Sequence, residues 1–200
     1  EDKTDPTGHT VAVGTTFFAQ FVDHDITRDM TIQIGSVAEV ENIVNVGTSK
    51  LELDCVYGNR PNASFGLFHP LHNGYLLFGS EKSPHDLAQD ASGTVKIGDD
   101  RNDENQIVSQ LHGAFVCFHN IVMSMLDQGK INVRQAWGSA CRCVVSLSEA
   151  QIKFEAARRL VRHHYQHLVV NQLLDDFVDD KVLKQLKRQL PLENCPNPLT

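Results

Sequence analysis

One stretch constrains this 200-residue chain more than any other: roughly residues 27 to 101, which are rich in Gly, Pro, Asn and Ser and hold few alternating apolar runs. Irregular connections of that length are uncommon inside compact domains, and where they occur function or a bound ligand holds them. The core must therefore come from the segments on either side. Something other than a sheet must hold the connection in place, and a metal ion is a candidate.

The flanking segments read as helices, which predicts a mainly α fold. Val13 to Asp23 is short and bulky. From Asp103 to Leu126, Ile107, Leu111, Phe115, Phe118, Val122 and Met125 recur at steps of three and four, the pattern of a buried helix stripe. Ser146 to Gln172 opens with an apparent capping box, Ser146 with Glu149, and carries Ile152, Ala156, Leu160 and Leu168. Asp179 to Gln189 is a short amphipathic helix stopping before Pro191. His112 and His119, inside the second helix, are expected to be buried and hydrogen-bonded, and Cys117 to be a small core residue. His163 and His164 are expected to pack or lie at the surface.

Charge excludes some partners. With 18 Lys and Arg against 25 Asp and Glu, the net charge is -7, which argues against nucleic acid and anionic membrane surfaces. The basic cluster Lys181, Lys184, Lys187 and Arg188 reads as the solvated side of one helix. No apolar run approaches the roughly 20 residues of a membrane helix. The opening, Glu1-Asp2-Lys3-Thr4-Asp5-Pro6, is polar and lacks Met, so the expectation is a processed or cut piece without a secretory leader. Five scattered cysteines do not make a disulfide framework, and the sequon Asn62-Ala63-Ser64 carries little weight alone.

Three clusters carry chemistry. Gln20-Phe21-Val22-Asp23-His24-Asp25 ends the first helix; Gln20 and His24 are four apart and share a face. It reads either as acid, base and metal-binding groups or as a capped helix end with solvated carboxylates. Gly98-Asp99-Asp100-Arg101-Asn102-Asp103-Glu104-Asn105 turns into the second helix, and Arg101 and Glu104 can share a face. Its plainer reading is a helix N-terminus with favourable acids and an ion-paired arginine. In Thr48-Ser49-Lys50-Leu51-Glu52-Leu53-Asp54, oxygen-bearing side chains at 48, 52 and 54 could turn toward one hard cation, or could be the polar face of a short strand.

These clusters, in this order, resemble the animal-type haem peroxidases of the peroxidase–cyclooxygenase superfamily, and the wording of the arginine segment is closest to bacterial members. Gln20 to Asp25 is similar to the distal-helix motif. Gly98 to Asn105, with Ser109-Gln110-Leu111-His112 and Phe118-His119-Asn120 after it, is similar to the catalytic-arginine segment. Leu51 to Gly58 is similar to the calcium loop. Glu155-Ala156-Ala157-Arg158-Arg159 and Tyr165-Gln166 resemble a later helix.

The resemblance implies a mainly α, haem peroxidase-like helical domain with a long irregular calcium-binding connection, in which haem b lies between the distal helix and the helix after Arg101. It implies His24 as the distal acid–base group, Arg101 as the stabiliser of charge as the O–O bond breaks, and Gln20 as the lining of the distal cavity. Asp23 and Glu104 match the acids that form ester bonds to haem methyl groups. Asp25, Thr48, the Lys50 carbonyl, Glu52 and Asp54 would bind Ca2+. The implied reaction is reduction of hydrogen peroxide with oxidation of organic donors or halides. A calcium-stabilised adhesion or interaction module and a fatty-acid oxygenase are the alternatives.

The sequence departs from the family pattern in three places. Ala19 stands where Gly is usual, and Glu52 where a shorter acid is common. No Arg-x-Gly-His motif, which holds the iron from the proximal side, follows Arg159. The expectation is therefore an incomplete domain, residues 1–200, that stops before the proximal helix and pairs with the remainder of its own peroxidase domain. The resemblance slightly favours an extracellular setting.

Overall fold

A computed structural model of the chain describes residues 11–28, 44–48, 50–58, 66–80, 83–137 and 147–189. The expectations that fall on Ser146, Cys141, Cys143, Cys195 and the sequon lie outside the described residues, as do Pro191 and the side chain of Lys187. Among the described residues the protein is mainly helical and contains no strand. Isolated bridges pair Phe68 with Leu76 and Gln89 with Val95.

Helix α1 spans Val13–Ile26, α2 Asp54–Tyr57, α3 Gln106–Asp127, α4 Val133–Trp137, α5 Glu149–Leu168, α6 Leu174–Phe177 and α7 Asp180–Gln189. A 3-10 turn, Asp100–Asp103, leads into α3, and a π turn, Val169–Leu173, joins α5 to α6. The short helices α2, α4 and α6 are too brief to show a periodic pattern in sequence.

α3 is the central element and packs on both α1 and α5. Asn105 caps it, its side chain accepting from the Val108 N–H at 3.0 Å, which satisfies one of the free amides at a helix start. Its buried stripe is Val108, His112, Phe115, His119, Val122 and Leu126. The apolar pattern placed that stripe slightly differently: Phe115 and Val122 are buried as expected, but Ile107 is exposed. Two buried histidines, which a count of apolar residues leaves out, rotate the helix toward themselves. Leu111 and Phe118 instead join Phe18 and Leu173 around a cavity of about 450 Å³. Cys117 is half-buried rather than a core residue.

By length and composition α3 is the one helix among the described residues long and apolar enough to cross a membrane. Here it is a core helix, with His112 and His119 buried against its neighbours.

α5 starts two residues later than expected. Its capping box is Ser148 with Gln151: the Ser148 side chain accepts from Gln151 N, and the Gln151 side chain accepts from Ser148 N. Ala156, Ala157, Val161 and Tyr165 face the core; the two alanines let the helix approach closely. Phe21, Phe115 and Tyr165 form an aromatic knot, with Phe21 stacked on Phe115 at 5.1 Å and Tyr165 edge-on to both. Such pairs add about 1 kcal/mol each beyond their burial.

The knot fills part of the space between α1 and α3 with Phe21, Phe115 and His112, while toward the start of α1 the same two helices line the cavity bounded by Phe18, Leu111 and Phe118. Gln20, Asp23 and His24 fall together on one side of α1.

Candidate functional site

The site is built on the C-terminal end of α1. A helix leaves its last carbonyls without intrahelical partners, and here nearly every donor nearby is spent on them. Thr27 donates from both its amide and its hydroxyl to Asp23 O. Asn45 Nδ2 donates to Ile26 O at 3.0 Å. The guanidinium of Arg101 donates from Nη2 to His24 O at 2.9 Å and to Thr27 O at 2.5 Å. A cation at this end also suits the helix dipole.

Arg101 is therefore brought to His24, but through the histidine's backbone carbonyl rather than its ring. Arg101 also grips Asp99 with two side-chain bonds, Nε to Oδ1 at 3.0 Å and Nη2 to Oδ2 at 2.7 Å. Such a paired fork fixes the guanidinium plane as a lysine could not. Burial of Asp99 pushes its pKa up, yet the hydrogen bonds and charges of Arg101 and Arg28 outweigh this and hold the carboxyl below its ordinary value. The bond to Asp99 raises the pKa of Arg101 in turn.

The His24 ring is nearly buried, at 7% exposure. Its Nδ1 lies 2.7 Å from the side-chain oxygen of Asn102. The nitrogen of that same amide lies 3.1 Å from Nδ1 of His112. Asn102 is fully buried and joins two helices through two imidazoles. Neither Asn102 nor this role of His112 was evident from sequence, where an Asn in a polar turn looks like a turn former. Its signal was position alone, directly after Arg101 and ten residues before His112. Burial pulls the pKa of His112 down to about 4, so the ring is neutral near pH 7.

Gln20 accepts from Asn105 Nδ2 at 3.3 Å, which ties the α1 face to the α3 cap. Asp23 and Glu104 are both solvent-exposed. Asp23 lies near enough to Arg101 to act on its charge.

Asp25 points the other way, into a second cluster. Its carboxylate is 3% exposed and accepts from the amides of Leu53 at 3.2 Å and Cys55 at 3.5 Å. The buried Tyr165 hydroxyl faces it closely enough to influence its protonation but makes no hydrogen bond of normal geometry. Thr48 Oγ1 lies 3.3 Å from both Glu52 Oε2 and Asp54 Oδ2. Burial raises the pKa of Asp54, and the charges of Asp25 and Glu52 raise it further. Burial likewise raises that of Asp25 against its hydrogen bonds. Leu51 and Leu53 both adopt left-handed backbone, with φ of 55° and 57°. Each costs roughly 1–2 kcal/mol for a residue with a Cβ. From α5, Gln166 donates to the carbonyls of Lys50 and Leu51, and Arg162 to that of Glu52.

The oxygens of Asp25, Thr48, Glu52 and Asp54 thus fall in one neighbourhood, while the Lys50 carbonyl is engaged by Gln166. Among the described residues, no three His, Cys, Asp or Glu side chains are gathered closely enough to hold a metal ion by themselves. Any cation here would depend on hydroxyl and carbonyl oxygens as well, which is how calcium is bound.

The two clusters are clamped together at Gly98. A Cβ there would fall 2.5 Å from the Cys55 carbonyl oxygen and 3.0 Å from that of Asp54. Arg28 reinforces the contact, donating to Gly98 O at 3.1 Å. No family model, curated protein or solved structure matches the chain.

Proposed function

We propose that the chain carries the distal side of a haem peroxidase that reduces hydrogen peroxide and oxidises small organic donors or halides. The observation that carries this reading is the end of α1. There an imidazole has one nitrogen tied to a buried amide, and a fixed guanidinium grips the backbone carbonyl of the same residue, while the next residue along the chain turns into an oxygen-rich loop. The order of the motifs, distal helix, acid loop, arginine turn and Arg-rich helix, supports the same reading.

The residues fit the implied groups in part. Asp23 and Glu104 are exposed carboxylates on the two segments that meet at the site, accessible to a porphyrin edge. The raised pKa of Asp54 among like charges fits a cation that would relieve them. Bound haem would supply the redox chemistry. His24 would take a proton from peroxide at Nε2 and return it to the leaving oxygen. Arg101 would stabilise the negative charge through its outer edge, Nη1, whose bond to Thr27 is long at 3.4 Å. Asp25, held by the cation, would keep the helix end and so His24 in place.

A second reading, a calcium-stabilised interaction module without catalysis, is favoured by one observation: most donors of Arg101 are already occupied by Asp99 and by helix carbonyls.

The test uses the chain with any residues that follow Thr200 naturally, mixed with haem. A Soret band with peroxide-dependent dye oxidation is the expected result. Replacing His24 by Ala should slow peroxide consumption by about a hundredfold or more while leaving haem retention nearly intact. No Soret band favours the module, and oxygen uptake on linoleate without dye oxidation favours a fatty-acid oxygenase.

A further inference from the structure

We infer that Asn102 is a positioning residue that fixes the tautomer of His24, holding its Nδ1 protonated and leaving Nε2 as the free base. The argument starts from what an amide can do. Its oxygen only accepts and its nitrogen only donates. The oxygen lies 2.7 Å from Nδ1 of His24, so that nitrogen must carry the hydrogen. The amide nitrogen lies 3.1 Å from Nδ1 of His112, so that nitrogen must be bare and His112 must carry its hydrogen on Nε2.

A flipped amide would reverse both assignments, so the orientation needs its own cause. Cys55 supplies one. Its thiol interacts with the side chains of both Asn102 and Asp25. A carboxylate draws the S–H toward itself and leaves sulfur lone pairs toward Asn102, which a donating NH2 satisfies and a carbonyl oxygen does not. All of these groups are buried, where a mismatched polar contact costs most.

That His24 uses its bare Nε2 in catalysis rests on the peroxidase reading; the tautomer itself does not. The two therefore fail separately. The decisive measurement is the ring 15N spectrum of the labelled chain, without haem, at a pH where both rings are neutral. The expected result is Nδ1–H on His24 and Nε2–H on His112, opposite assignments in one protein. Nε2–H on His24 in the unaltered chain overturns the inference. In Asn102→Ala, the His24 population should shift toward Nε2–H by roughly tenfold, as expected for loss of one buried hydrogen bond; an unchanged population also overturns it. Asn102→Asp keeps an acceptor facing His24, so Nδ1–H should persist there while His112 switches to Nδ1–H. If the tautomers follow this pattern but peroxide is not consumed with haem present, the catalytic reading fails and the positioning role stands.

Discussion

His24 and Asp25 are adjacent in the chain and sit in opposite chemical conditions. The His24 side is saturated: amide, imidazoles, guanidinium and helix carbonyls pair off, and the pKa shift of His112 keeps it neutral. The Asp25 side is less evenly balanced, with Arg162, 3.5 Å from the Glu52 carboxylate, as the cation set against its acids. Acids crowd one another, the pKa values of Asp25 and Asp54 are raised, and two leucines are held in left-handed backbone. Strain and like charge persist only where surrounding structure over-determines them. The difference teaches that the His24 side closes on itself through its own hydrogen bonds, and that the Asp25 side is where the proposed cation would act.

Acid should break the comparison most sharply, because the two sides respond with opposite sign. The folded pKa of His112 is about 4 against an ordinary 6.5, and that of His119 is the same. A base whose folded pKa is depressed contributes stability that is full above 6.5 and is lost as pH falls from 6.5 toward 4. Each histidine should account for roughly 3 kcal/mol over that window. Asp25 and Asp54 run the other way: with folded pKa values above 3.8, their repulsion is relieved as they protonate on the way down. Urea unfolding between pH 7 and pH 4 should therefore show net loss of stability, and His112→Phe should flatten the slope. A slope unchanged in that variant would show that His112 is not the neutral anchor described here.

The seam between the two sides gives the next effect. Gly98→Ala would drive a methyl into the backbone of Cys55 and Asp54, which no side-chain rotation can relieve. It should cost about 3 kcal/mol and lower the unfolding temperature by about 6–12 °C. Gly129→Ala, where φ is +66° but nothing lies within 4 Å, should cost only about 1 kcal/mol. Equal losses at the two positions would mean that the clamp at Gly98 gives way and that the two clusters are not rigidly coupled.

The fold was legible in sequence where periodicity was long, and misread by small offsets where polar residues were buried. α1 and α7 fell close to their expected ranges, and the Arg-rich helix was found with its cap two residues off. The stripe of α3 was rotated because His112 and His119 lie in the core, each with partners: Asn102 for one, Tyr57 and the Gly74 carbonyl for the other. The motifs singled out His24, Arg101 and the acid loop, and the structure brings these to the end of α1. They could not show that Arg101 would spend its donors on the end of α1, because the need for those donors arises only once the helix stops at Ile26. Asn102 was missed for a similar reason. A buried asparagine in a turn looks like any other until its two imidazoles arrive from elsewhere in the chain.

Calcium gives the smallest effect and sharpens the comparison further. If the acid loop is arranged for a cation, Ca2+ at about a hundred times its dissociation constant should add about 2.7 kcal/mol to stability, with the gain largest near neutral pH and fading as Asp25 and Asp54 protonate. Asp54→Asn should abolish most of that gain. Without calcium the same change should slightly stabilise the protein, since it removes one of three crowded charges. The sign reversal separates a binding site from a structural loop: in a loop that binds no ion, Asp54→Asn would change stability by the same amount with calcium and with chelator. Thermal unfolding of the two proteins with calcium and with chelator measures all four states. The His24 side enters as the control, since calcium should leave the Nδ1–H assignment of His24 in place while Asp25 becomes fixed.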